Sequence, residues 1–351
     1  MIKIQREVID RLHAANSGRD LHDLVQGAIR LEHSTIPPYL TAMLSLKPEK
    51  NREIWSIIHS VVIDEMLHMT ITCNLLNALG KRPQIDDPGF VPNYPGPLPT
   101  GIDGDLIVGL EPFSIDLMGS TFMKIEEPEH PIAFKAAGTE TEYATIGQFY
   151  RALIDKIREL AASGNELFIG DPARQVMAKG WYAAERLFAI VDVDTAVNAL
   201  QIIIEEGEGT SVSPLAEDGE LAHYYRFQEI SRLRRLIPDP TSENGYSFSG
   251  PVIPFDSAAV YPLTKNQKMI DLDASSEGGR RARQFSFVYT KLLKALQRVF
   301  DGEPQQFGAA LGLMYELKLA GQILCSLPAI KNNSPTGFNA GPTFEYAPKN
   351  T

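Results

Sequence analysis

Apolar residues recur every three or four positions along two long stretches near the start of the chain, residues 21–43 and 53–79. This spacing places apolar side chains on one face of a helix, so each stretch is predicted to be a long amphipathic helix. A glycine at position 80 and a proline at position 83 are typical of the end of a helix. Because only LKPEKN separates the two stretches, we expect an antiparallel helical hairpin.

The remainder of the chain predicts shorter helices and irregular segments. Residues 83–104 are rich in proline and glycine, which predicts an extended loop with many turns. Helical spacing returns at residues 114–125, 145–162, 194–207 and 218–236, and residues 282–327 predict a helix pair divided by DGEP. The final stretch, KNNSPTGFNAGPTFEYAPKNT, is predicted to be a tail or a strap over the surface.

Composition limits the classes of protein. With 351 residues and 44% hydrophobic content the chain can bury a large core. No unbroken apolar segment indicates a secretory signal or a membrane span, so a cytoplasmic location is expected. The net charge of −11 disfavours nucleic acid and anionic membranes as partners. Cys73 and Cys325 lie in apolar helical patterns and are expected to be buried thiols.

The second predicted helix contains two residues that normally avoid a protein core. Glu65 and His68, in VVIDEMLHMTITCNLL, lie on the same stripe as the apolar residues. The stripe runs through positions 54, 58, 61, 65, 68, 72, 75 and 79. A carboxylate buried without a partner costs several kcal/mol, so a compensating charge is expected, and a metal ion would supply it.

The first predicted helix repeats this anomaly. Glu32 lies on the apolar face within RLEHSTIPPYL. Glu32 and Glu65 are each roughly 20 Å along their helices from the connecting loop, so we expect them to face each other. Pro37 and Pro38, one turn later, are expected to kink or open the helix and free backbone carbonyls near the site.

A similar set of residues follows in the second predicted hairpin. Glu220 and His223 form a second Glu-x-x-His pair, and Glu205 and Glu208 end the preceding helix. One carboxylate from each of two helices and a Glu-x-x-His from each of two others predict a dimetal site in a four-helix bundle. Either Glu205 or Glu208 is expected to be the ligand from this helix. The run EEGE is also typical of a solvated acidic helix end, so the other glutamate would be structural. Glu220 is predicted to lie in the first turn of its helix, where the helix dipole favours an acidic residue even without a metal ion.

Oxygen ligands with two imidazoles suit iron or manganese, so the predicted cofactor is two iron ions, manganese, or a mixed pair. Helical spacing places Tyr39 beside the site. Its side chain could donate a hydrogen bond or an electron there, or it could simply be a core residue. The predicted catalytic residues are Glu32, Glu65, His68 and Tyr39. The predicted metal ligands are Glu32, Glu65, His68, Glu205, Glu208, Glu220 and His223.

Several stretches carry a resemblance to a known family. They are LEHSTIPPYL, DEMLHM with LLNALGKRP, NYPGPLP, FMKIEEPE, EEGEG, ELAHYYRF and the terminal GPTFEY. On these stretches the chain resembles the ferritin-like superfamily, and more closely the ferritin-like domain of iminophenyl-pyruvate dimer synthases of bisindole biosynthesis. The resemblance implies a four-helix bundle with a dimetal centre.

The expected fold is therefore mainly α: a ferritin-like four-helix bundle with a long loop-rich insertion between its second and third helices. The predicted bundle domain covers residues 1–240, with the insertion at 83–190. Residues 241–351 are predicted to be a C-terminal helical extension and tail packed on the bundle.

Three functions remain open from the sequence. The first is a dimetal oxidoreductase that uses dioxygen to act on a small, amino-acid-derived metabolite. The second is a non-catalytic metal-binding or accessory protein, which would be favoured by a metal-free structure that pairs Glu32, Glu65 and Glu220 with arginine or lysine. The third is iron storage or detoxification, which predicts a large symmetric assembly. The sequence leaves the oligomeric state open, with a homodimer as one option.

Overall fold

The computed structural model describes residues 6–99, 106–128, 145–177, 181–209, 213–216 and 218–347. The helices are α1 (Arg6–Ala14), α2 (Gly18–Ser45), α3 (Arg52–Ala78), α4 (Ile115–Leu117), α5 (Met123–Ile125), α6 (Ile146–Ala162), α7 (Val193–Glu208), α8 (His223–Arg232), α9 (Glu277–Phe300) and α10 (Phe307–Cys325). A π-helical turn, Met118–Phe122, joins α4 to α5. The strands form two antiparallel hairpins, β1 (Ile237–Pro238) with β2 (Tyr246–Ser247) and β3 (Pro328–Lys331) with β4 (Ser334–Asn339).

The predicted hairpin of two long helices is present as α2 and α3, which pack along their lengths. At the start of α2 the backbone N–H of Ser17 donates to the Asp20 carboxylate at 2.9 Å. Gly80 follows the end of α3 with a φ of 82°, a conformation that glycine adopts without a steric penalty. The local signals for this pair therefore agree with its tertiary structure.

Helix α2 is not opened at Pro37 and Pro38 but continues through both prolines, while the predicted freeing of backbone carbonyls is present. Pro38 has no N–H to donate to the carbonyl of Ser34, one turn earlier. The hydroxyl of Tyr94, in the loop after α3, donates to that carbonyl at 2.7 Å. The loop thus satisfies a backbone group that the proline frees.

Helices α6 and α7 pack against each other, and α7 and α8 pack against α3. The side chain of Asp192 caps α7 by accepting from the backbone N–H of Thr195 at 2.8 Å. Helix α8 is shorter than the predicted helix at 218–236. The residues before it form a turn closed by a backbone bridge between Leu215 and Leu221, so the helix begins only at His223.

The C-terminal part forms a helical hairpin of its own, α9 and α10, whose two helices are separated by the predicted DGEP loop. Helix α10 packs against α2, and α9 packs against α3. Phe344, in the tail, stacks edge-on against Phe285 and Tyr289 of α9. The tail is therefore packed on the protein, and its preceding segment forms the β3–β4 hairpin.

This arrangement confirms the predicted fold class, a mainly helical bundle with a long insertion and a C-terminal helical extension. Helix α3 is long and apolar enough to cross a membrane, but 67% of its most apolar window is buried inside the fold. It also carries Glu65 and His68. These features identify α3 as the central core helix, with other helices on several sides.

Candidate metal centre

Five buried residues meet at the centre of the bundle and are called the Glu/His cluster below. Helix α2 contributes Glu32, α3 contributes Glu65 and His68, α8 contributes His223, and Glu126 directly follows α5. Each is less than 10% exposed, and His223 has no exposed surface. Ligand atoms of Glu65, His68 and His223 all lie within 4.8 Å of one another. The packing thus concentrates carboxylates and imidazoles where water is excluded.

Glu65 occupies the middle of the cluster. Its Oε1 lies 3.0 Å from Nδ1 of His223 and 3.9 Å from Nδ1 of His68. Its other oxygen accepts a hydrogen bond from the Thr35 hydroxyl at 2.7 Å. The two imidazole rings stack with their centroids 5.4 Å apart. One carboxylate therefore stands between two imidazoles, and these three side chains could together hold a metal ion.

A further carboxylate accompanies each imidazole. Glu32 Oε2 lies 3.7 Å from His68 Nδ1, and Glu126 Oε2 lies 3.6 Å from His223 Nδ1. Each of these carboxylates accepts a hydrogen bond from a buried tyrosine. Tyr150 donates to Glu32, and Tyr39 donates to Glu126 at 2.5 Å. Burial, followed by the neighbouring carboxylates, raises the pKa of both phenols well above the usual value, so both remain donors.

The outer nitrogen of each imidazole also faces a carboxylate. Glu206 Oε2 lies 3.0 Å from Nε2 of His68, and Asp64 Oδ2 lies 3.5 Å from Nε2 of His223. Outer carboxylates of this kind fix the orientation of a metal-binding imidazole and make it a stronger ligand. The cluster is consequently held from outside as well as from within.

Two arginines bind the outer carboxylates. Nη2 of Arg186 lies 2.7 Å from both Asp64 Oδ1 and Glu206 Oε1. Nη1 of Arg226 lies 2.7 Å from Asp64 Oδ2. These arginines explain why Asp64 stays ionised: burial alone would raise its pKa, but His223, Arg226 and Arg186 together lower the pKa well below its usual range.

Without a cation, protons compensate the inner carboxylates. Burial and then the nearby Glu126 raise the pKa of Glu65 to about 7. Burial alone would lower the pKa of His68, but its bonds to Glu206 and Glu32 raise the pKa to about 10. The pKa of His223 is also raised well above its usual value: burial acts in the opposite direction, and Asp64, Glu126 and Glu65 outweigh it. A metal ion would take the place of these protons.

The donor atoms fit a transition metal. They are carboxylate oxygens and imidazole nitrogens, a set that suits iron or manganese. Neither ring nitrogen of His223 has an aligned hydrogen-bond partner among the described residues, although carboxylate oxygens lie close to both. A fully buried imidazole in this condition is suited to binding a cation that those carboxylates share.

Three residues predicted as metal ligands lie outside the Glu/His cluster, although one of them, Glu208, lines a small cavity that adjoins it. Glu205 accepts from the side chain of Gln201 at 2.8 Å on the exposed side of α7. Glu208 accepts from the backbone N–H of Gly147, in the first turn of α6, at 2.9 Å. Glu220 is exposed in the turn before α8. The structure therefore brings together Glu32, Glu65, His68 and His223 of the predicted ligands, with Tyr39 beside them.

The ferritin-like family model matches residues 25–232, more than half of the chain. The chain belongs to the ferritin-like family. The matched segment runs from α2 to the end of α8, so it contains the whole Glu/His cluster. A crystal structure of a ferritin-like protein from Caulobacter vibrioides is similar, with 23% sequence identity and a TM-score of 0.58, over 90% of this chain and 97% of that one.

Because the sequence identity is low, the similarity to the Caulobacter vibrioides protein shows a shared fold only. No curated protein matches the chain.

Two glutamates at the site of this ferritin-like protein were not predicted, Glu126 and Glu206. A signal for Glu206 exists in the sequence, because the buried stripe of α7 runs through positions 196, 199 and 203 and reaches 206 next. Glu126 is harder to find. It follows a π-helical turn, which shifts the register of the preceding helical residues.

A small cavity of about 20 Å³ adjoins the Glu/His cluster. Glu32, Glu65, His68 and Glu126 form part of its wall, together with Tyr150. A cavity of this size has room for roughly one water molecule. The ferritin-like bundle thus leaves space beside the carboxylates for a molecule about the size of water.

Proposed function

We propose that the Glu/His cluster binds two iron ions, two manganese ions, or one of each, and that the protein is an oxygen-dependent oxidoreductase acting on a small organic molecule. The observation that carries this proposal is the position of Glu65 between His68 and His223, with Glu32 and Glu126 beside the two imidazoles. Redox-active metal ions at such a site supply the electrons that reduce dioxygen. The family includes dimetal-carboxylate oxidoreductases, and this is the class to which we assign the protein.

The side chains around the cluster would position the ligands. Thr35 fixes one oxygen of Glu65, and the phenols of Tyr39 and Tyr150 fix one oxygen each of Glu126 and Glu32. In each case the other oxygen remains directed toward an imidazole. The surrounding apolar core excludes water, which strengthens electrostatic interactions inside the site.

The residues that compensate charge favour this proposal over an accessory protein without metal. If the protein were an accessory protein without metal, arginine or lysine would be expected to pair with the inner carboxylates. Among the described residues, Arg186 and Arg226 contact only the outer carboxylates, and no arginine or lysine forms an ion pair with Glu32 or Glu65. Compensation of the inner carboxylates is therefore left to the protons of His68, His223 and Glu65, which a bound metal ion would replace.

The substrate class is proposed from the sequence resemblance to iminophenyl-pyruvate dimer synthase-type proteins. It supports an amino-acid-derived metabolite together with dioxygen. The net charge of −11 supports a role away from nucleic acid and anionic membranes, and a cytoplasmic location fits that role.

Metal analysis of matched variants tests the proposal. Purified protein reconstituted with ferrous iron without oxygen should hold about two metal ions per chain. Glu65→Gln should lose most of this metal, because it removes the carboxylate between both imidazoles. Glu205→Gln, on the same helix as Glu206 but outside the cluster, is the control and should retain it.

Dioxygen uptake then tests the chemistry. The loaded wild type should consume dioxygen, with uptake increased by the correct small organic substrate, and Glu65→Gln should not. Circular dichroism should show equal helicity in all three proteins. Wild-type protein that cannot be loaded with iron or manganese, or equal loading of Glu65→Gln, would refute the metal site.

A further inference from the structure

A second and much larger cavity lies between two helical hairpins, α2–α3 and α9–α10. Its volume is about 190 Å³. It is called the apolar cavity below. For comparison, an apolar cavity of about 150 Å³ is sufficient to bind benzene. The apolar cavity is therefore larger than one that encloses a single aromatic ring, and because it opens to solvent at one end, a longer chain can extend through that opening.

The apolar cavity is separate from the Glu/His cluster. On α3, Val62, Met66 and Met69 line the cavity, whereas Glu65 and His68 belong to the cluster. Residues one position apart on a helix point about 100° away from each other. The cavity and the cluster thus occupy neighbouring faces of α3, with Val62 and Met69 at the edge nearer Glu65, and the small cavity beside the cluster shares none of the three cavity residues.

The wall of the apolar cavity is suited to an apolar molecule. It consists almost entirely of aliphatic, aromatic and methionine side chains. Among the described lining residues there is no aspartate or glutamate. Transfer of an apolar body from water into such a site is favourable by about 25 cal/mol for each Å² buried.

One end of the apolar cavity reaches solvent and carries a positive charge. Trp181 and Tyr315, which line it, are 51% and 54% exposed, and they mark its mouth. Lys318 also lines the cavity, and its ammonium group lies 5.2 Å from the ring centroid of Tyr315 and 5.7 Å from that of Trp55. No carboxylate of the described residues lies within 4.0 Å of this ammonium group. The charge at the mouth is therefore available to a ligand.

We propose that the apolar cavity binds an apolar monocarboxylate of about the size of a medium-chain fatty acid. The hydrocarbon body would occupy the space between α2–α3 and α9–α10, and the carboxylate would pair with Lys318 at the mouth. Charge complementarity selects an acid over an amine or a neutral molecule. This site goes beyond the proposed oxidoreductase function and does not depend on metal.

Tryptophan fluorescence tests this proposal without a label. Of the two tryptophans of the chain, Trp181 lines the mouth and Trp55 lies beside the ammonium group of Lys318. Decanoate, titrated into purified protein below its micellar concentration, should change the emission with saturation at one equivalent per chain. Decanamide, which has no charge, should bind about five- to tenfold more weakly, and decylamine more weakly still.

Matched variants locate the site. Lys318→Gln should weaken decanoate binding to the level of decanamide, whereas Lys291→Gln, on the outer surface of α9, should leave it unchanged. Val62→Phe on α3 should weaken both ligands because the ring fills the cavity, and Leu40→Phe on α2 is a second filling variant if the first is not folded. Glu65→Gln should retain decanoate binding, since it changes only the cluster.

Three results would overturn the proposal. One is the absence of saturable decanoate binding to the wild type. Another is equal binding of decanoate and decanamide to the wild type. The third is unchanged binding in folded Val62→Phe and Leu40→Phe. None of these results bears on metal loading, so the two proposals fail or hold separately.

Discussion

At the scale of single residues, Asp64 connects the cluster to the helices around it. It lies next to Glu65 in the chain but on the outer side of His223. Its two oxygens separately contact Arg186 and Arg226, which come from the segment before α7 and from α8. One buried carboxylate therefore orients an imidazole and joins three parts of the fold.

Replacing Asp64 with asparagine should weaken both metal binding and folding. Loss of an outer carboxylate lowers metal affinity about 10- to 100-fold in comparable sites. Leaving two partly buried arginines short of their partner should cost about 3 kcal/mol of unfolding free energy. Metal titration and urea denaturation of the metal-free protein measure the two effects. Asp155→Asn, on the exposed side of α6, is the control and should change neither quantity.

At the scale of elements, α2 remains helical through two adjacent prolines because a residue outside the helix donates a hydrogen bond to the backbone carbonyl that the prolines leave without a partner. The carbonyl of Ser34 loses its helical partner at Pro38 and accepts from Tyr94 instead. Ser34 and Tyr94 are both buried, so no solvent could replace this bond. The loop after α3 is thus part of what stabilises the helix that carries Glu32 and Thr35.

Tyr94→Phe should destabilise the protein by about 1–2 kcal/mol, since it leaves a buried carbonyl without a donor. Urea denaturation measures the loss. Tyr315→Phe, which removes a hydroxyl from a side chain more than half exposed, should be neutral. Equal stability of Tyr94→Phe and wild type would show that this bond does not support the helix.

At the scale of the whole molecule, the C-terminal hairpin encloses the side of α2 and α3 that faces away from the cluster. Cys73 on α3 and Cys325 at the end of α10 are both fully buried, as the sequence predicted. Burial raises the pKa of both thiols. Reactive thiolate is therefore scarce at both positions as long as the hairpins remain packed.

A thiol reagent should accordingly label neither cysteine in the native protein and both in denaturant. The variants Cys73→Ser and Cys325→Ser each retain one thiol, so labelling them separately shows which of the two cysteines reacts. If the bundle and the extension unfold together, the two thiols become reactive at the same urea concentration. Labelling of the thiol at position 325 under native conditions would contradict this and would indicate that the extension, predicted as residues 241–351, opens by itself.

Local patterns were enough for most of the long helices and for part of the site. The three-and-four spacing defined α2, α3, α6 and α7 to within a few residues, because a helix that packs on a core must bury a continuous apolar face. Glu32, Glu65 and His68 were visible for the same reason, as charged or polar residues on such a face. The resemblance to the ferritin-like family supplied the expectation of a four-helix bundle.

The rest of the site was decided by tertiary structure. Glu126 follows a π-helical turn, and nothing local indicates that it faces His223. Glu220 is exposed because the chain before α8 closes a turn of its own, so the second Glu-x-x-His pair is not helical. The pairing of Arg186 and Arg226 with Asp64 and Glu206 joins residues far apart in the chain. The sequence by itself thus determined which helices form and which carry buried charge, whereas packing decided which charges meet, since contacts between helices depend on register and loop geometry that no local spacing encodes.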